Sequence, residues 1–372
     1  MSKSLRKWFL VVLAAGAVGL LLYRSRGAIG LEGFDWNHLA EVIGRTRLSL
    51  LLVCTVTIYG AYAVRALRWN RFSRYLGHGS FSSTYSATLV GFSTLFLLGR
   101  AGEPVRPILI ARKHRVPVSS AFGIYVLERV FDVASTVIIA GLALLVFRPP
   151  NAEAGAGGAL LTTARTAGTA LLTGLLGMIG FLIYFRLHGA TVLQRRFDGW
   201  KSRPGWHARV AGLFEGFSHG LQAIRTAGDL GAAVFYSALH WVLVVIIFVW
   251  VPQSFGGRLA ELGLAGGLMV LAFTMVGSTM QLPGVGGGSQ LASFLAFTVI
   301  FGIEKEPAAA ASIVLWLITF AAVSLLGVPL LIREGWSMGE LRRLARAEAE
   351  AEAVGSHVTL PEAPNSPREA LP

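Results

Sequence analysis

The sequence predicts an all-α, polytopic integral membrane protein of six to eight transmembrane helices, with two re-entrant (broken) helical hairpins forming an inverted repeat. Three observations predict it. Of 372 residues, 54% are hydrophobic and only 14% charged, and the mean hydropathy is +0.61, a composition that belongs in a bilayer. The apolar residues fall in long runs separated by basic loops. Two of these runs, in corresponding halves of the chain, are interrupted by glycine and proline at 99–107 and 281–290, the pattern of discontinuous helices lining a transport site.

Charge and cysteine content narrow the classes. Lys and Arg number 33 against 20 Asp and Glu, a net charge of +13, which in a membrane protein places basic loops against anionic headgroups. The basic residues are scattered between apolar spans and form no separate domain, which argues against nucleic-acid binding. The single cysteine, Cys54, lies in an apolar run, so an intrachain disulfide is excluded and a Cys-based metal site is not expected. No metal or cofactor is expected.

Taken in order, MSKSLRK and the apolar run Trp8 to Tyr23 resemble a signal peptide, but Tyr23-Arg24-Ser25-Arg26 offers no small-residue cleavage site. We read a retained first helix. A linker from Arg24 to Arg47 leads to a second span, Leu48 to Val64. Arg65, Arg68, Arg71 and Arg74 follow at helical spacing with Trp69, Phe72 and Tyr75 between them, the composition of a helix end anchored at the headgroup layer. Thr84 to Leu98 is apolar but rises only ~22 Å as a helix, less than the ~30 Å hydrocarbon core. It is expected to turn back at Gly99-Arg100-Ala101-Gly102-Glu103-Pro104, with Pro104 and Pro107 near the start of a shorter second arm. Irregular backbone at such a tip must face a cavity and not lipid.

Ser119 to Phe147 is the next long apolar run and carries Glu128, Arg129 and Asp132, three or four residues apart and able to share one broad helical face. Gly168 to Phe185 is a further span. Residues 186–229 form the longest polar stretch, whose segment 195–229 keeps apolar residues at helical spacing and reads as a cytoplasmic amphipathic helix. Leu230 to Val251 spans again; its His240 is expected to be a satisfied packing residue. The uncharged run 262–303 is broken by Gln281-Leu-Pro-Gly-Val-Gly-Gly-Gly-Ser-Gln290 and either re-enters or crosses twice. Ala308 to Ile332 is the last span. The transmembrane domain is thus 1–336, followed by a cytoplasmic helix and disordered tail, 337–372.

With both termini cytoplasmic, the cytoplasmic segments hold 23 Lys and Arg against 8 in the opposite loops, as the positive-inside rule favours. The hairpin at GRAGEP then enters from the cytoplasm and the one at LPGVGGGSQ from outside. Gly91-Phe-Ser-Thr before the first tip is echoed by Gly277-Ser-Thr before the second.

At these residues the chain resembles the bacterial and archaeal family sharing the transmembrane flippase-like domain of lysylphosphatidylglycerol synthase, the multiple peptide resistance factor. The carriers are Gly99-Arg-Ala-Gly-Glu103-x-x-Arg106, Glu128-Arg129-x-x-Asp132, and Pro283-Gly284 with Gly287, within roughly residues 5–335. The resemblance implies a plasma-membrane protein that handles amphiphiles and moves lipid headgroups between leaflets. Two departures qualify it. The family's third motif commonly ends in glutamate where this chain has Gln290, and only about 40 residues follow Ile332, leaving no room there for the soluble aminoacyl-transfer domain.

A lipid transporter would use Arg100 and Arg106 as phosphate clamps at the tip, because a guanidinium holds phosphate by paired charge-assisted bonds. Glu103, Glu128 and Asp132 with Arg129 would balance that charge or bind a headgroup amine. Gly284, Gly286, Gly287 and Gly288, between Pro283 and Gln290, would let backbone N–H groups approach the substrate. The expected partner is an anionic phospholipid; self-association into a homo-oligomer is compatible with all of this. A structural alternative is that Glu103, Arg106, Glu128, Arg129 and Asp132 are ion pairs that only lock the hairpin to the long helix. An enzyme acting on a lipid-linked substrate, and a scaffold for envelope synthesis, are the other functional classes.

Overall fold

The computed structural model describes residues 34–77, 79–146, 223–279, 281–282 and 286–334, with isolated positions between 162 and 177. The first span, the 195–229 segment up to residue 222, most of the span 168–185, the tip residues Pro283 and Gly284 and the tail 337–372 lie outside these. The described chain is helical apart from one two-residue ladder. In chain order α1 is Trp36–Gly44, α2 Leu48–Ser73, α3 Phe81–Leu98, α4 Val105–His114, α5 Val118–Val146 and α6 Ala227–Phe255. Then come α7, Gly257–Ala260, α8, Gly263–Gly277, the strands β1, Gln281–Leu282, and β2, Gly286–Gly287, α9, Gly288–Leu295, α10, Lys305–Trp316, and α11, Val323–Arg333.

Local chemistry sets the boundaries. Asp35 accepts from the N–H groups of Asn37 and His38 at 2.8 and 3.2 Å and so starts α1, a short helix inside what the sequence reads as a linker. Ser80 accepts from Ser83 N at 3.2 Å and starts α3 three residues before the expected Thr84. The 18 residues of α3 therefore rise ~27 Å, and it is long and apolar enough to cross a membrane. The expectation that this arm is too short fails on that count, because Ser80 supplies a cap and Phe81 to Ser83 the first turn, and these residues do not form a loop. The chain nevertheless turns back at a 3-10 turn, Gly99–Gly102, and α4 begins directly after Pro104.

α2 also exceeds its expected span: it continues through Arg65 and Arg68 to Ser73, 26 residues or ~39 Å. It packs along α6 in antiparallel fashion, pairing Arg65 with His240, Arg68 with Ser237 and Arg74 with Asp229. α9 runs on through a π turn, Ala296–Ile300, and another π turn, Leu317–Ala321, joins α10 to α11. A π turn leaves backbone carbonyls without their usual helical partners. Here Tyr62 donates its hydroxyl to Thr319 O at 3.0 Å and Tyr59 to Ala322 O at 2.5 Å, both from α2.

Two helical hairpins enter from opposite ends of this bundle. The first, α3–α4, begins beside the end of α2, where Thr84 Oγ1 meets His114 Nε2 at 3.1 Å. The second, α8–α9, begins beside the end of α6, where Arg258 donates to Gly302 O at 2.8 Å. At the second tip Gln281 pairs with Gly287 and Leu282 with Gly286, and β1 lies against the Gly99–Gly102 turn of the first. The broken helices thus meet tip to tip. The matching glycines have matching roles: a Cβ on Gly91 would stand 2.8 Å from Arg106 Cγ on the returning arm, and one on Gly277 would stand 2.5 Å from Ala292 Cβ.

α11 crosses α3 at Gly327, where a Cβ would lie 2.5 Å from Leu89 O and 2.8 Å from Ser93 Cβ. Small residues let membrane helices approach closely. Gly327→Val is therefore expected to push the two helices apart at a cost of about 1–3 kcal/mol, seen as a lowered thermal midpoint of the purified protein. An unchanged midpoint would show that the crossing can relax without loss.

Candidate functional site

Glu128 and Asp132 are one turn apart on α5, and Arg65 and Arg68 are one turn apart on α2. The packing of these helices brings the four together. Glu128 Oε1 accepts from Arg65 Nε at 3.0 Å, Arg68 Nη2 at 2.9 Å and Arg106 Nη1 at 3.3 Å, and its Oε2 is paired with Arg106 Nη2. Asp132 Oδ1 accepts from Arg68 Nη2 at 2.7 Å, and Oδ2 is paired with Arg65 Nη2. All five residues are buried; Glu128 and Arg68 are each 1% exposed. His240 Nδ1 is 3.1 Å from Ala61 O, and its Nε2 is 3.2 Å from Arg65 Nη1. A carbonyl only accepts, so Nδ1 carries the hydrogen and Nε2 accepts from Arg65. His240 is thus a satisfied internal residue, as its place on an apolar helix suggests, and it also orients Arg65.

The cluster is unbalanced. Three guanidinium groups face two carboxylates, which leaves an excess positive charge in the low-dielectric interior. Aromatic faces hold part of it: the Arg106 guanidinium lies 4.8 Å from the centre of the Trp69 ring and 5.4 Å from that of Phe92, and Arg65 lies 5.0 Å from Phe92, within the range of cation–π attraction.

Beside the cluster a cleft opens between the first hairpin and α5, lined by Gly91, Phe92, Leu95, Glu103, Arg106, Tyr125 and Arg129. Arg129 is its most available cation. Its side chain is 40% exposed and its closest carboxylate contact is Asp132, at 3.9 Å. Its Nε has no hydrogen-bond partner, and its guanidinium lies 5.0 Å from the Tyr125 ring centre. The Tyr125 hydroxyl donates to Glu103.

The structure places the sequence candidates unequally. Glu103, Arg106, Glu128, Arg129 and Asp132 converge. Arg106, expected as a phosphate clamp, is turned into the cluster and bound to Glu128. Arg129 pairs with Asp132 as expected, but at 3.9 Å, the longest of that carboxylate's ion pairs, because Arg65 and Arg68 engage it more closely. Arg100 belongs to the 3-10 turn, but its side chain is outside the described set, as are Pro283 and Gly284. Gly286 and Gly287 form the short ladder, Gly288 opens α9, and Gln290 Oε1 approaches Gly287 N–H at 3.4 Å. The headgroup-anchor reading of Arg65 and Arg68 is overturned, since both are buried ion-pair partners. Their signal was two arginines one turn apart beside Trp69, a pattern that an interfacial helix end shares. Among the described residues no group of three His, Cys, Asp or Glu side chains is gathered to hold a metal.

Comparison with known proteins agrees with this architecture. The chain is 26% identical over 313 residues to Glycosyltransferase AglD of Haloferax volcanii, an alignment that covers 78% of this chain and 50% of the relative. The chain thus spans about half the length of the curated relative it matches. No solved structure matches it. The model of the lysylphosphatidylglycerol synthase TM region matches residues 8–327. With hairpins, charge cluster and that match in agreement, this polytopic membrane protein belongs to the lysylphosphatidylglycerol synthase transmembrane region family.

Proposed function

We propose that this protein binds the headgroup of an anionic membrane lipid in the cleft beside the charge cluster and carries it between leaflets. The observation that supports this most is the unneutralised positive charge beneath the cleft, with Arg129 at its wall. A phosphate entering there would meet the paired donors of a guanidinium and a site already short of negative charge. Glu128 and Asp132 hold Arg65, Arg68 and Arg106 in place, Tyr125 and Phe92 supply apolar faces, and Glu103, held by the Tyr125 hydroxyl, adds a carboxylate to the wall. The meeting of the two hairpin tips supports transport, because discontinuous helices from inverted halves meet at the binding depth of many transporters. One end of the bundle carries Arg71, Arg74, Arg112, Lys113, Arg115 and Arg225, while the other mixes acidic and basic residues. This supports a cytoplasmic orientation for the basic end.

The test is translocation of labelled phosphatidylglycerol and phosphatidylcholine in vesicles reconstituted with purified protein. Accelerated movement of the anionic lipid is expected, and movement no faster than in empty vesicles would overturn the proposal. The name of the Haloferax relative favours a second reading, in which the chain serves or performs transfer to a lipid-linked substrate. Formation of a glycosylated lipid in the same vesicles supplied with a sugar donor would identify it.

A further inference from the structure

We propose a second lipid site, separate from the cleft, in which Arg71 and Arg74 dock the phosphate of an anionic phospholipid at the basic end of α2 and α6. Around Asp229, the guanidinium groups of Arg71 and Arg74 attend one carboxylate, and Arg225 reaches it through its backbone N–H. Its Oδ2 is taken up by the start of α6: it accepts from Tyr75 Oη at 2.8 Å, Thr226 Oγ1 at 2.9 Å, Thr226 N at 3.0 Å and Arg225 N at 3.3 Å. Its Oδ1 has Arg74 Nη2 at 2.8 Å and Arg71 Nε at 3.3 Å, but neither contact is aligned as a hydrogen bond, and the Nε atoms of Arg71 and Arg74 remain without partners. Charge draws these groups to Asp229, while Arg74 Nη2 also donates to the Tyr75 hydroxyl. The guanidinium groups of Arg71 and Arg74 carry five donors each, and the single carboxylate cannot neutralise both.

The arginines are accessible and held in place. The Arg71 and Arg74 side chains are 36% and 31% exposed, while Arg74 and Arg225 lie 4.4 and 4.5 Å from the centre of the Tyr75 ring. Depth identifies the ligand. α2 is ~39 Å long against a hydrocarbon core of ~30 Å, so its last turn reaches the headgroups. The turns of α6 that follow Asp229 expose Leu230, Val234 and Phe235. An amphiphile fits this arrangement, its phosphate on the arginines and an acyl chain along α6, whereas free phosphate uses only the polar half. The site does not depend on the transport proposal, because it shares no residue with the cleft.

The experiment uses the full chain in detergent. Native mass spectrometry should show a retained phosphatidylglycerol adduct that phosphatidylcholine does not replace, and Arg71→Gln with Arg74→Gln should weaken it at least tenfold. A phosphatidylglycerol carrying a photoreactive headgroup should crosslink the unaltered protein within residues 71–75 or 225–235, which decides the matter if the double variant does not fold. Crosslinks only elsewhere, or an undiminished adduct in a folded double variant, would overturn the site. Displacement of the adduct by inorganic phosphate at concentrations equal to that of the lipid would make it a free-anion site and overturn the lipid assignment.

Discussion

Exchanging Glu128 for glutamine is expected to cost about 3–5 kcal/mol, the penalty of leaving buried charge without its partner. One carboxylate contacts Arg65, Arg68 and Arg106 at once. Its loss leaves three buried guanidinium groups with Asp132 alone, and α5 loses its tie to α2 and α4, which carry them. Asp132→Asn should cost less, since Asp132 contacts two of the buried arginines and its side chain is 10% exposed. Combining Arg106→Met with Glu128→Gln should recover part of the loss, because the pair is then removed together. The measurement is thermal unfolding and monodisperse yield in one detergent. A Glu128→Gln protein that melts with the unaltered protein would mean that apolar packing alone holds the helices.

Arg129→Gln is expected to fold normally and to slow phosphatidylglycerol translocation at least tenfold, a loss of about 1.4 kcal/mol or more in the step that engages phosphate. Arg106 differs in its surroundings. Arg129 is 40% exposed, with its nearest carboxylate at 3.9 Å, so little stability depends on it, whereas Arg106→Gln strips Glu128 of a buried partner and should act through stability first. Arg129→Lys should rescue transport only in part, because an ammonium keeps the charge but loses the planar fork. If Arg129→Gln moves lipid at the full rate while a well-folded Arg106→Gln does not, the clamp is Arg106 and the cluster opens during transport.

The sequence by itself determined the class of protein and most of the described helices, because burial in lipid demands long apolar runs and those can be counted directly. It also showed where the helices break, since glycine and proline at 99–107 and 281–287 weaken a helix wherever they occur. The charged group on α5 was legible for the same reason: Glu128, Arg129 and Asp132 are anomalous in an apolar run whatever they touch. Their partners were decided only by tertiary structure. An ion pair between residues 60 or more positions apart leaves no local pattern, so Arg65 and Arg68 resembled a headgroup anchor until α2 was packed against α5 and α6. Packing likewise decided which of the two arginines lining the cleft is exposed in it. Arg106 and Arg129 are alike as residues, and only the place of Glu128 between α2 and α4 turns one inward and leaves the other at the wall.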